Sequence, residues 1–123
     1  MSESFEIQPD DRLLRWLHPS QFNWSENRAT SAAFTATEMS VDILSMTTID
    51  ESYRRAKKQG KNAVVSLSYQ QVKDLELSVK RDPIDGNDAH ALVLGKKTKS
   101  IAKKLANVCE VEIYPPESDR VIS

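Results

Sequence analysis

The stretch HALVLGKKTKSIAKKLAN, residues 90–107, joins an apolar segment to a basic one through a single glycine. The run HALVL predicts a short strand, and Gly95 predicts a tight turn because glycine adopts positive φ angles at low cost. From Thr98 onward the apolar residues recur at the spacing of one helical face, which predicts an amphipathic helix. The stretch therefore predicts a strand, a turn and a helix in succession.

The flanking segments predict further strands and helices. Downstream, VCEVEIY alternates apolar and acidic residues until Pro115 ends it, which is typical of a strand with one buried face. Upstream, NAVVSLSY and LELSVK predict two strands with a helical turn over 70–75 between them. Residues 48–60 predict a helix, with acids in its first turn and bases in its last. The β-branched content of residues 32–44 favours a strand.

The N-terminal part of the chain predicts a helix followed by a loop. Asp10 or Asp11 could cap a helix that Pro19 stops at His18. Its apolar face would hold three leucines at helical spacing, Leu13, Leu14 and Leu17. The polar stretch SQFNWSENRATS that follows has no period and predicts a loop.

Helices and strands alternate without a strict β-α-β rhythm. We therefore predict one α+β domain over residues 10–116, with a mixed or mostly antiparallel sheet and two or three helices packed on one face. Residues 1–9 are expected to form a flexible N-terminal arm, and residues 117–123 a flexible C-terminal tail.

The composition is that of a soluble globular protein. Hydrophobic residues make up 39% of the 123 residues and charged residues 28%, which argues against wholesale disorder. No apolar run approaches the ~20 residues of a membrane span, and the acidic N-terminus is unlike a signal peptide. The single cysteine excludes an internal disulfide framework. We expect a cytoplasmic protein without a membrane segment, and its oligomeric state stays open.

The basic residues are concentrated in two segments, although the formal net charge is only −1. That small charge argues against a surface tuned to nucleic acid as a whole. Residues 96–104 nevertheless hold five lysines and no acid, beside a glycine turn and the unpaired amides of a helix start. These features predict an anion or phosphate site at Gly95, Lys96, Lys97, Thr98 and Lys99.

A nucleic acid, another polyanion or an acidic protein is the expected partner of this segment, and a small binding module is the expected function. The alternative is an ordinary amphipathic helix with a solvated basic face. The pattern of an NTP-binding P-loop, G-x-x-x-x-G-K-[ST], does not fit. His90 occupies the position of its first glycine, and Lys97 occupies the position of its serine or threonine. The histidines, the cysteine and the aspartates of DPIDGNDAH lack zinc or calcium spacing. The sequence thus predicts no cofactor and no metal.

A second set of candidate residues contains Arg15, His18, Ser31 and His90. An arginine can hold a phosphate group while a nearby histidine transfers a proton. The alternative function is accordingly an enzyme that acts on a phosphate-bearing substrate, although the sequence assigns no catalytic residue. For His18 the simpler expectation is structural, since a histidine at a helix end commonly bonds the free carbonyls there.

The segments RLLRWLHP, TSAAF, SVD and DPIDGNDAHALVLGKKTKSIAKKLA resemble a family of small uncharacterised bacterial proteins. Its recurring pattern is R-x-x-H-P, S-x-A-F, S-V-D and D-P…N-x-A-H-A-x-V-x-G-K-K-T, and the resemblance spans most of residues 12–106. It implies a bacterial, intracellular, stand-alone domain without an assigned activity. It marks Arg15, His18, Ser31, His90 and residues 96–98 as positions to test.

A more distant resemblance is to ADP-ribosyltransferases of the arginine, serine, glutamate type. Arg15, the Thr30 and Ser31 pair, and the E-x-E of Glu110 and Glu112 occur in that order. The interval between arginine and serine is short for that fold, and a half-buried strand explains alternating glutamates without catalysis. The resemblance implies ADP-ribosyl transfer as one form of the enzyme alternative, and RNA processing is another.

Overall fold

A computed structural model describes residues 7–120 of the chain. Its helices and strands, in chain order, are β1 Arg12–Leu17, β2 Phe22–Asn23, β3 Arg28–Ala29, β4 Glu38–Ile43, α1 Ile49–Lys58, β5 Ala63–Ser68, α2 Tyr69–Asp74, β6 Ser78–Arg81, β7 His90–Leu94, α3 Lys99–Val108 and β8 Glu110–Ile113. Short 3-10 turns lie at Pro19–Gln21, Ser31–Phe34, Leu44–Met46 and Glu117–Asp119.

Six of the strands form one sheet in the order β6-β7-β4-β1-β5-β8, and every neighbouring pair is antiparallel. The strands β2 and β3 form a separate two-stranded hairpin. The predicted α+β fold with a mostly antiparallel sheet is therefore confirmed.

Helices pack on both faces of this sheet. The main core lies on one face, where α2 and α3 cover the strands, and its largest members include Leu13, Leu67, Val72, Val93 and Leu105. On the opposite face α1 contacts β1 and β5, and the indole Nε1 of Trp16 donates to Ser52 Oγ at 2.8 Å. The two helices on the core face agree with the prediction, and α1 adds a second layer.

The predicted helix over residues 10–18 is wrong, because this segment is strand β1. β1 pairs with β5 along its whole length and lies between helices on the two faces. Leu13 and Leu17 therefore face the main core while Leu14 faces α1, and all three are fully buried. A strand that is buried on both faces need not alternate apolar and polar residues. The helical spacing of the leucines in β1 is therefore a coincidence.

Most other predicted elements are present with small shifts. Helix α1 begins after Thr48, whose side chain caps it, and α3 begins after Thr98 in the same way. The predicted strand over 32–44 is shorter than expected, because residues 31–34 form a 3-10 turn and β4 begins only at Glu38. The predicted loop after Pro19 contains the β2–β3 hairpin, which buries Phe22.

The two ends of the chain are only partly described. Most of the predicted N-terminal arm, residues 1–9, lies outside the described residues, as do residues 121–123 of the predicted tail. Residues 117–119 form a 3-10 turn that is held to the domain, since Asn62 Nδ2 donates to Asp119 Oδ2 at 3.0 Å. Within the described part, each helix is too short or too polar to cross a bilayer.

Candidate functional site

The outer side of α3 and the turn before it carry a group of exposed lysines that we call the lysine surface. Its members are Lys96, Lys99, Lys103 and Lys104. Ala102, Leu105 and Ala106 bury the opposite side of the helix, so the ammonium groups are directed away from the core. Within residues 7–120, none of the four has a carboxylate oxygen within 4.0 Å. The surface is therefore positively charged without internal compensation.

Lys97 differs from its neighbours because its side chain turns inward. It is only 8% exposed, and its Nζ donates to three backbone carbonyls, those of Thr37, Val93 and Gly95, at 2.9 to 3.2 Å. An ammonium group has three donors, so all of them are used. Burial, with a smaller effect of the Arg15 charge, lowers the pKa of Lys97 below its ordinary value. Lys97 thus ties β7 to the segment before β4.

The start of α3 is partly closed to a ligand. The hydroxyl of Thr98 accepts from the amide of Ile101 at 3.2 Å, so one of the free donors of the helix is already satisfied. Of the five residues predicted to form the anion site, Lys97 is engaged internally, whereas Lys96, Thr98 and Lys99 are exposed. Anion binding at Gly95–Lys99 stays a prediction, and the lysine surface along the helix presents more free charge than the turn does.

A shallow groove of about 190 Å³ extends the lysine surface toward the β2–β3 hairpin. Arg28, Ser31, Lys103 and Asn107 line it together with Glu26, and the Arg28 guanidinium donates to Asn107 Oδ1. Glu26 lies 3.9 Å from Arg28 and partly offsets its charge. Ser31 was predicted to belong with Arg15 and the histidines, but the structure places it beside Lys103.

The second basic segment, residues 54–61, begins in α1 on the side of the sheet opposite to α3. Helix α1 exposes Arg54, Lys57 and Lys58 on the face opposite to α3, so it does not continue the lysine surface. Arg55, in the same segment, pairs with Asp42 at 2.9 Å. Two basic surfaces therefore face away from each other.

The four residues of the second candidate set do not form one site. His18 caps the turn Pro19–Gln21, with its Nδ1 accepting from Ser20 N at 3.2 Å. His18 therefore has a structural contact that differs from the expected one, because its ring accepts from an amide at a turn start instead of bonding carbonyls at a helix end. Arg15 and His90 line one cavity of about 290 Å³, which neither His18 nor Ser31 reaches.

This β1–β4 cavity lies where the side chains of β1 and β4 meet the C-terminal end of α1 and the turn before β7. Its lining consists of Leu14, Arg15, Trp16, Ser40, Val41, Asp42, Gln59, Lys61, Ile84 and His90. His90 Nδ1 lies 2.8 Å from the carbonyl oxygen of Asp82 and 3.2 Å from its Oδ2. A carbonyl only accepts, so Nδ1 carries a proton, and Nε2 of a neutral ring is then an acceptor.

Sequence reasoning missed a buried polar network centred on Asp42, which is 1% exposed. Its carboxylate accepts from Ser52 Oγ at 2.7 Å, Arg55 Nη2 at 2.9 Å and Asn87 Nδ2 at 2.8 Å. The network joins β4 to α1 and to the turn before β7. Asp42 and Asn87 both belong to the quoted pattern S-V-D and N-x-A-H-A, which was the available signal.

The two glutamates of the E-x-E motif contact residues other than Arg15 and Ser31. Glu112 Oε2 accepts from Ser66 Oγ at 2.6 Å, and Glu110 Oε2 lies 3.3 Å from Arg12 Nη2. Strand β5 lies between them and β1. The arrangement expected from the ADP-ribosyltransferase resemblance is not assembled in the described residues.

Comparison of the chain with protein-family models, with curated proteins and with solved structures found no match.

Proposed function

We propose that this protein is a binding module that engages a polyanion through the lysine surface of α3. The observation that carries the proposal is the set of four exposed lysines on and before one helix, none of them paired with a carboxylate in residues 7–120. Uncompensated charges of one sign attract polyanions at long range, and the attraction weakens with salt.

An extended phosphate backbone is the partner that this chemistry fits best. Lysine ammonium groups are compact charges on flexible stems, so they neutralise phosphates without demanding one geometry. Lys99 and Lys103 are one helical turn apart and lie side by side. Arg28 adds a planar donor at the end of the row, where it lines the groove with Lys103. Such contacts position a backbone and carry no base-sequence information.

The test uses a triple variant, Lys99→Gln, Lys103→Gln and Lys104→Gln, and a matched control on the opposite face. The control is Arg54→Gln, Lys57→Gln and Lys58→Gln, which removes the same charge from exposed positions of α1. Fluorescence anisotropy with a single-stranded RNA and a DNA duplex, over a range of salt concentrations, gives the affinity. The α3 variant should lower the salt slope by roughly two to three, because each phosphate contact contributes about 0.9.

Equal weakening by both variants would mean that net charge alone attracts the polymer, and it would contradict a site on α3. Binding of polyglutamate, but of neither nucleic acid, would point to an acidic protein as the partner. If the α3 variant loses polyglutamate binding, the lysine surface is still the binding site, but its ligand is an acidic protein and not a nucleic acid.

The enzyme alternative has weaker support. Arg15 and His90 share the β1–β4 cavity, but His18 and Ser31 lie outside it. The guanidinium of Arg15 is partly engaged with two backbone carbonyls, those of Ala33 and Ser40. The residues expected to act on a phosphate-bearing substrate thus do not converge, and the geometry favours a binding module.

A further inference from the structure

The β1–β4 cavity lies at a fork in the sheet. β1 pairs with β5 over all of Arg12–Leu17, but it pairs with β4 only at Leu13 and Leu14, opposite Ile43 and Asp42. Beyond that point β4 continues as a strand against β7 while its ladder to β1 has ended. Consecutive residues of both strands line the cavity, so it follows the opening between them.

Arg15 bridges this opening. Its Nε donates to the carbonyl of Ala33 at 3.0 Å, and its Nη1 donates to the carbonyl of Ser40 at 3.0 Å. A guanidinium has five N–H donors, so these two bonds leave donors without an acceptor among residues 7–120. Burial lowers the pKa of Arg15 below its ordinary value, which reflects the cost of keeping the charge away from water.

The charge of the cavity is positive. Asp42 also lines it, but Arg55, Ser52 and Asn87 already neutralise and satisfy its carboxylate. Lys61 lies at the cavity edge, and within the described residues no carboxylate oxygen is within 4.0 Å of its ammonium group. The cavity therefore has two positive side chains, Arg15 and Lys61, and no unpaired carboxylate in its described lining, so its charge favours an anionic ligand.

The rest of the lining combines apolar side chains with the polar residues Ser40, Gln59 and His90. Its apolar members are Trp16, which is partly exposed, Leu14, which is fully buried, and Ile84, which is 46% exposed. At 290 Å³ the cavity is close to the lower end of the range typical of small-molecule sites. A ring would fit this shape better than a polymer.

We propose that the β1–β4 cavity binds a small organic oxyanion with a flat apolar body, its carboxylate or phosphate group held by Arg15 and Lys61 and its ring placed against Trp16. The site is separate from the lysine surface, because none of Lys96, Lys99, Lys103 and Lys104 lines the cavity. Either site can therefore be disproved without the other.

The indole N–H signals of the two tryptophans provide the test, because Trp16 lines the cavity whereas Trp24 packs against Phe22 with ring centroids 5.2 Å apart. Benzoate and phenyl phosphate are titrated into the full chain and followed by proton–nitrogen NMR, with benzyl alcohol as the uncharged analogue. Both anions should shift the Trp16 signal at millimolar concentration and leave Trp24 unchanged. A shift with only one of them would identify carboxylate or phosphate as the preferred group.

Variants distinguish a built site from general affinity for anions. Lys61→Gln should weaken binding about tenfold, as expected for one lost charge-assisted hydrogen bond. Lys58→Gln removes the same charge from an exposed position outside the cavity lining and should leave the affinity unchanged. Arg15→Lys keeps the charge but loses the planar donor pair, so it should also weaken binding. If that variant fails to fold, Lys61→Gln still decides the question.

The proposal is overturned by any of three results. They are no response of Trp16 to either anion, equal responses of Trp16 and Trp24, or an equal response to benzyl alcohol.

Discussion

Arg55 Nη2 lies 2.9 Å from Asp42 Oδ2, and the pair joins α1 to β4 across the face of the sheet opposite the main core. The Asp42 carboxylate is fully enclosed, whereas a quarter of the Arg55 side chain stays exposed. A buried charge is tolerated only when it is paired and hydrogen-bonded. Asp42 meets this condition through Arg55, Ser52 and Asn87.

Asp42→Asn should therefore destabilise the fold strongly. The variant keeps the size of the side chain but leaves Arg55 without its counter-charge, and breaking such a pair costs about 3 kcal/mol of unfolding free energy. Urea denaturation measures the loss. The control is Glu26→Gln, which removes an exposed partner 3.9 Å from Arg28 and should change stability by less than about 0.5 kcal/mol. Similar values for both variants would contradict a structural role for the Asp42 network.

Lys97→Met should also lower stability, although lysine is usually a surface residue. The variant leaves the carbonyls of Thr37, Val93 and Gly95 without their shared donor, at a cost of about 2 kcal/mol. Lys99→Met, at an exposed position two residues later, is the matched control and should be nearly neutral. Thermal and urea unfolding of both variants give the comparison. An unchanged stability of Lys97→Met would show that the three hydrogen bonds of the ammonium group contribute little to the free energy of unfolding.

Gly95→Ala should destabilise the turn between β7 and α3 by about 2 kcal/mol or more. Gly95 has a φ of +132°, and an added Cβ would lie 2.8 Å from Leu77 Cδ2. Gly86→Ala is the control for φ alone, since Gly86 has a φ of +80° with nothing within 4 Å of the added atom. It should cost about 1 kcal/mol. If the two variants unfold at the same urea concentration, the contact with Leu77 has no effect of its own.

Cys109 should react slowly with alkylating agents in the folded protein. Burial is the main cause that raises the pKa of its thiol from 9.0 to about 11. Because the thiolate is the reacting form, iodoacetamide at pH 8 should label the folded chain about 100-fold more slowly than the urea-unfolded chain. Equal rates in the two states would contradict the raised pKa of this partly buried thiol.

The same shift predicts how stability depends on pH. The folded pKa lies above the unfolded one, so this contribution is complete below pH 9 and is lost as the pH rises toward 11. Cys109→Ser removes the group and should flatten the fall of unfolding free energy over that interval. An unchanged fall in the variant would assign it to other groups.

Local signals were sufficient for most helices and strands from residue 48 onward. Thr48 and Thr98 cap the helices that follow them, and a glycine follows β7 where the chain turns. Each of these features acts over a few residues, so it can be inferred from neighbours in the sequence. The N-terminal strand was the main error, because burial of β1 on both faces removes the alternation that would identify it.

For the candidate sites too, some features could be predicted from the sequence and others could not. The charge of the segment 96–104 and its helical spacing are properties of the sequence alone. They predict all four members of the lysine surface, but they also include Lys97, which does not belong to it. Only the tertiary structure decided that Lys97 turns inward, because three carbonyls from β7, its turn and the segment before β4 meet at its ammonium group. It also decided that Arg15 bridges a fork between β1 and β4, and that His18 and Ser31 lie elsewhere. Local propensity and charge act between chain neighbours, whereas enclosure of a charge requires groups brought together from distant positions.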